Sequence, residues 1–184
     1  MRLRLLYEDQ ATNSKNILLL VHPNYMVEMF SKYHVNEKLQ GYFSKVIGTI
    51  RTKLNEGWVC VVSYMPLWGD DNESYEDRQD ETAEPYDKFL EELNNLKGQK
   101  NFYFVDDSAA FGKRVSPTTV GLCSDDRVVN LILNSKNITL EVGGGYKSSC
   151  VAITLNNLGG EEFLKELNID LVYNDLIFDY FKRA

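Results

Sequence analysis

The apolar positions of this chain fall into short continuous runs, and these alternate with stretches in which they recur every three or four residues. Residues 17–21 are apolar throughout and stop at His22-Pro23-Asn24. A run this short, closed by a proline, predicts a buried strand and a turn. From Val35 the apolar residues Leu39, Tyr42, Phe43, Val46, Ile47, Ile50 and Leu54 mark one helical face, and Gly57 offers a stop. Residues 58–65, dominated by Val59, Cys60, Val61 and Val62, predict a second strand that Pro66 ends. A helix starting near Pro85 buries Phe89, Leu90, Leu93 and Leu96 before Gly98, and a third strand over 101–105 runs into Asp106-Asp107.

Residues 108–123 read as mostly irregular. Ser124 and Asp125 are then caps for a helix burying Val128, Val129, Ile132 and Leu133. A fourth strand over 138–142 leads through Gly143-Gly144-Gly145 to a helix over 150–158 that Gly159-Gly160 ends. A short helix over 161–167 and a fifth strand over 169–173 follow. Residues 176–181 fit a strand or a helix equally well, and residues 3–7 fit an edge strand.

Strands of this length separated by single helices predict βαβ units. The expected fold is therefore α/β, a three-layer, mainly parallel Rossmann-like sheet with helices on both faces. The near-continuous apolar runs suit strands covered on both sides. A chain of 184 residues fits a single domain spanning 1–184. In such sheets the reversal of strand order opens a crevice at the carboxyl ends of the strands. That rule gathers His22, Met65, Trp68, Asp106, Asp107 and residues 143–150 on one rim.

Charge narrows the function. The net charge is -7, and basic residues form only isolated pairs such as Arg2 and Arg4, Lys113-Arg114 and Lys182-Arg183, with no concentrated patch, so no nucleic-acid partner is expected. No apolar stretch approaches membrane-spanning length, and none follows the basic N-terminal residues as a leader would, so no membrane association is expected. Cys60, Cys123 and Cys150 are too few and too scattered for a disulfide framework or a structural zinc site. A reducing, cytoplasmic setting with no cofactor follows as the expectation. Residues 70–92 carry eleven Asp or Glu against Arg78 and Lys88 alone, and the part over about 70–82 reads as an acidic surface loop without metal-ligand spacing.

Cys150 stands out by its setting. A strand, a glycine turn and a helix beginning near the cysteine place its sulfur at the positive end of that helix, where the thiolate is favoured. The triple glycine can also approach a phosphate, but it is neither GxGxxG nor Walker A. The Glu141-Val142-Gly143-Gly144-Gly145 string has a superficial likeness to a methyltransferase glycine loop, but only 39 residues follow Gly145, too few for the units such a fold requires. Asp106-Asp107 can bind magnesium or cap a turn.

The segment 142–154, Val-Gly-Gly-Gly-Tyr-Lys-Ser-Ser-Cys-Val-Ala-Ile-Thr, resembles the nucleophile region of the isochorismatase-like cysteine hydrolases, with Cys150, Val151 and Thr154 matching its Cys-Val and following Thr. Leu19-Leu20-Val21-His22-Pro23-Asn24 is similar to that family's first strand. The resemblance implies hydrolysis of a small amide or related substrate by a triad of aspartate, lysine and cysteine, in a homodimer. Carried onto this chain, Cys150 is the nucleophile and Lys113, after the third strand, the charge-stabilising lysine. His22 stands where the aspartate is expected. An imidazole titrates near neutrality and can serve as the base. Trp68, Gly144, Gly145 and Tyr146 are the expected substrate-binding positions. The alternative, suggested by His22 and by the acidic segment, is a catalytically silent α/β fold used for binding, as a structural or virus-encoded interaction module.

Overall fold

A computed structural model of the chain describes residues 15–27, 36–64, 83–106 and 126–179. Strand β1 (Ile17–Val21) is followed by a 3-10 turn (Pro23–Tyr25), helix α1 (Asn36–Asn55), β2 (Val59–Tyr64), α2 (Ala83–Leu96) and β3 (Phe102–Asp106). Helix α3 (Asp126–Leu133) leads to β4 (Ile138–Gly144). A π-helical turn (Lys147–Val151) then runs into α4 (Ala152–Asn157), α5 (Gly160–Glu166) and β5 (Ile169–Ile177).

The five strands form one sheet in the order β3-β2-β1-β4-β5, and every neighbouring pair is parallel. Alternate side chains of each strand enter opposite layers. Leu18, Leu20, Cys60 and Val62 pack against Leu39, Phe43, Val46, Ile47 and Ile50 of α1 and Tyr86, Phe89, Leu93 and Leu96 of α2. Ile17, Leu19, Val21, Val59, Val61, Leu140 and Val142 pack on the other face against Ile132, Val151, Leu155, Leu158 and Leu164. The result is the three-layer, parallel α/β architecture that the alternating runs predict. Among the described residues no helix is long and apolar enough to cross a membrane.

A left-handed residue stands just before each of the strands that follow β1: Gly57 before β2, Asn101 before β3, Asn137 before β4 and Asn168 before β5. Glycine and asparagine are the residues that tolerate this conformation best, and it turns a chain leaving a helix sharply into a strand.

Three element boundaries differ from the sequence reading. β4 continues through Gly143 and Gly144 to the site. The helix carrying Cys150 is already wound from Lys147. The stretch read as a fifth strand and a separate closing element is one strand, β5, with a register irregularity opposite Val142 to Gly144. Asn174 absorbs that irregularity. Its side-chain oxygen accepts the Leu176 N–H at 2.8 Å, and its amide donates to Glu141. Glu141 also pairs with Lys53 at 2.5 Å, so the polar Asn-Asp step is satisfied inside the sheet and makes no turn. The predicted edge strand over 3–7, the acidic loop over 70–82 and the segment 108–123 lie outside the described residues.

Candidate active site

β1 and β4 are adjacent central strands, and their partners fan out in opposite directions. The gap beyond their carboxyl ends is therefore the switch point of the sheet, where ligands of open α/β folds bind. His22 leaves β1 there, and residues 145–150 leave β4 beside it.

His22 takes a left-handed backbone conformation, with φ 41° and ψ 51°. This is uncommon outside glycine, although histidine is one of the residues that accept it. Two backbone bonds hold it: its N–H donates to the Ser63 carbonyl, and its own carbonyl accepts the Tyr25 N–H, each at 3.0 Å. The Tyr25 ring lies 5.0 Å from the imidazole, centroid to centroid. The imidazole is 1% exposed.

On the β4 side the glycines are required by contact. Gly144 has φ +87°, and a Cβ there would stand 2.0 Å from the Val21 carbonyl oxygen. A Cβ on Gly145 would stand 2.3 Å from the Phe178 ring. The Gly145 N–H donates to Val21 at 2.8 Å, tying the turn directly to the end of β1. The Gly145-Tyr146 peptide is cis. The Tyr146 carbonyl then accepts the N–H groups of Ser149 and Val151, at 3.0 and 3.1 Å, which closes the turn carrying Cys150. Thr154 donates its hydroxyl to the Cys150 carbonyl at 2.7 Å.

These two backbones bring His22 and Cys150 together. Burial pushes the Cys150 thiol up, but a hydrogen bond from His22 and the charge on that ring pull it down, helped by the Tyr146 N–H and the Ser149 hydroxyl. The net position is below the ordinary thiol value. Cys60 shows the opposite case. It lies near the start of β2, its Sγ is 3.7 Å from the Ile50 carbonyl, and burial pushes its thiol up to about 12. One chain thus holds a cysteine set for ionisation and another set against it.

The other expected site positions are distributed differently. Tyr146 is 5% exposed; its ring packs between Tyr25 at 5.9 Å and Phe178 at 5.6 Å, while its N–H serves the Cys150 sulfur. Gly144 and Gly145 are buried beneath Val21 and Phe178. Lys113, Trp68, Met65 and Asp107, and the side chain of Asp106, lie outside the described residues. Among the described residues no group of three or more His, Cys, Asp or Glu side chains is placed to hold a metal ion.

Four contributors to the site escaped the sequence reading: Tyr25, Ser149, Phe178 and Asp179. Ser149 was visible as the neighbour of Cys150. The other three reach the site only through the tertiary fold. A groove of about 520 Å³ runs along the outer side of the same turn, lined by Lys147, Ser148, Asn156, Glu161, Tyr173 and Asp179, among others. Neither His22 nor Cys150 lines it. No family model, curated protein or solved structure matches this chain.

Proposed function

We propose that this chain is a divergent cysteine hydrolase of the isochorismatase-like kind, acting on a small amide or related carbonyl compound. Cys150 is the nucleophile and His22 its base. The observation that carries the reading is the placement of the His22 ring where it lowers the Cys150 thiol, at the switch point of the sheet.

In this scheme the Cys150 thiol gives its proton to His22, and the thiolate attacks the substrate carbonyl carbon. A C–S bond forms and the carbonyl π pair moves to oxygen. The N–H groups of Gly145, Lys147, Ser148 and Ser149 are already bound to Val21, Phe178, Asp179 and Tyr146. The Tyr146 N–H, which serves the Cys150 thiolate, is in this scheme handed to the developing oxyanion as the sulfur gives up its charge to the new C–S bond. Collapse of the tetrahedral species breaks the C–N bond, and the imidazolium returns its proton to the departing amine. Water, deprotonated by neutral His22, then releases the acid from the thioester and restores the thiol–imidazole pair. With histidine in place of the resembled family's aspartate, one residue both polarises the thiol and carries the proton. Lys113 keeps the charge-stabilising role that the resemblance implies, and a cytoplasmic homodimer belongs to the same proposal on the resemblance alone.

A second reading rests on burial. Cys150 is only 8% exposed and His22 less, as suits a silent fold used for binding. Incubation with an activated acyl ester, acid quenching and intact-mass measurement separates the two. The hydrolase reading expects one acyl adduct, mapping to Cys150 and absent from Cys150→Ser. A folded wild-type chain that takes no acyl group at Cys150 contradicts it and favours the binding reading.

A further inference from the structure

The end of β5 reaches over the nucleophile turn and holds it at four points. The Phe178 N–H donates to the Gly144 carbonyl at 2.9 Å, and the Phe178 carbonyl accepts the Lys147 N–H at 2.8 Å. This residue, the first after β5, thereby bridges the two ends of the arch formed by Gly145 and Tyr146. Its ring fills the space over Gly145 and meets Tyr146 edge-on at 5.6 Å. Asp179 takes the next step along the turn. One carboxylate oxygen accepts the Ser148 hydroxyl at 2.6 Å, and the other accepts the Ser148 N–H at 3.2 Å. An anion bound to an early N–H of a helical turn satisfies a donor that the turn itself cannot.

We infer that Asp179 is a positioning residue for Cys150: with the Phe178 backbone it holds residues 144–148 in the shape that directs the Tyr146 N–H at the sulfur and keeps the sulfur against His22. This rests on the reading of Cys150 as the nucleophile and adds a residue 29 positions away in sequence. The direction of force follows from the connections. Gly145 is pinned to Val21 on one side and Ser148 to Asp179 on the other, so Tyr146 is suspended between two fixed points. Releasing Ser148 leaves the Lys147 bond to Phe178 as the remaining tie on that side, so the Tyr146 peptide can shift relative to the sulfur. Asp179 does not touch the reacting atoms. It shares the walls of the outer groove with Lys147 and Glu161.

The test is the rate of iodoacetamide alkylation at Cys150 in the full chain, followed from pH 5 to 10 by peptide mass. Asp179→Ala is expected to raise the midpoint by about one unit and slow alkylation at pH 7 roughly tenfold, with the high-pH plateau retained. Asp179→Asn keeps an acceptor for the Ser148 hydroxyl but loses the anion, and should fall between, about threefold slower. Ser148→Ala, which retains the backbone bond, should slow the rate about twofold. A residue that only supports the fold would lower the melting temperature in these variants and leave the midpoint where it is. Folded Asp179→Ala and Asp179→Asn chains with the wild-type midpoint overturn the inference. Should Asp179→Ala fail to fold, Asp179→Asn and Ser148→Ala decide by the same criterion. A wild-type Cys150 that stays inert throughout overturns the nucleophile reading and the inference with it, a result distinct from a reactive wild type whose Asp179 variants match it.

Discussion

Single residues at this site are chosen for what their neighbours permit. Gly144 combines a left-handed φ with a Cβ position 2.0 Å from a backbone oxygen, so no side chain fits without moving β1 or β4. Gly41, in the exposed interior of α1, has nothing within 4 Å of its Cβ position. Opposite outcomes are expected from the same substitution. Gly144→Ala should cost at least about 3 kcal/mol, since strain and a backbone clash add. Gly41→Ala should gain roughly 0.5–1 kcal/mol from helix propensity. Urea unfolding of both variants checks this, and a Gly144→Ala chain as stable as wild type would show that the turn is not locked. In sequence Gly144 was legible as part of a turn. Which of the three glycines is indispensable was not, because Val21 and Phe178 reach them only in the folded chain. The same holds for Asp179, an ordinary surface carboxylate until β5 brings it to Ser148.

At the scale of elements, periodicity was informative where one face is buried. The apolar stripe of α1 and the short runs of β1 and β2 correspond closely to the observed elements. α2 was legible through Phe89, Leu93 and Leu96, while Tyr86 is more deeply buried than its polar hydroxyl suggests. That hydroxyl is satisfied 2.7 Å from the Tyr64 hydroxyl. β5 was misread because Asn174-Asp175 looks like a break, and only Glu141 on the neighbouring strand explains how Asn174 stays inside a sheet. The asparagines that begin β3, β4 and β5 were a usable signal, since each follows a helix or turn and precedes an apolar run. The contact between α1 and α2 centres on Phe43 and Phe89, stacked at 4.1 Å with a 5° angle between rings. Phe43→Ala should destabilise the chain by about 3–5 kcal/mol in chemical denaturation. A double-mutant cycle with Phe89→Ala should return a coupling of roughly 0.5–1.5 kcal/mol. Strict additivity would mean that the stacked pair contributes only as separate buried surface.

For the whole molecule, strand order brings distant residues into one site. β1 lies next to β4 although more than a hundred residues separate them, and that adjacency places His22 beside Cys150. The alternation of strands and helices made the parallel sheet and its carboxyl rim legible. The pairing of these two residues was a hypothesis that needed the order β3-β2-β1-β4-β5. The resembled family's lysine and the aromatic Trp68 fall outside the described residues, so the chemistry rests on the two central strands. Under the proposed hydrolase reading, His22 would take the part that a separate carboxylate has in the resembled family.

The most direct test of that pairing is the pH dependence of alkylation at each cysteine, in wild type and in His22→Gln. With His22 in place, burial is outweighed at Cys150 and its thiol lies below the ordinary value. Alkylation of Cys150 should therefore set in at a lower pH than that of an ordinary thiol, while Cys60, pushed up to about 12 by burial, should stay unreactive in the native chain through pH 10. Removing the imidazole takes away the two largest of the effects that lower the thiol and leaves burial opposed only by Tyr146 and Ser149, so His22→Gln should move the Cys150 midpoint up and slow its alkylation at pH 7. A His22→Gln chain that alkylates at Cys150 with the wild-type profile, or a wild-type Cys150 as inert as Cys60, would contradict the account.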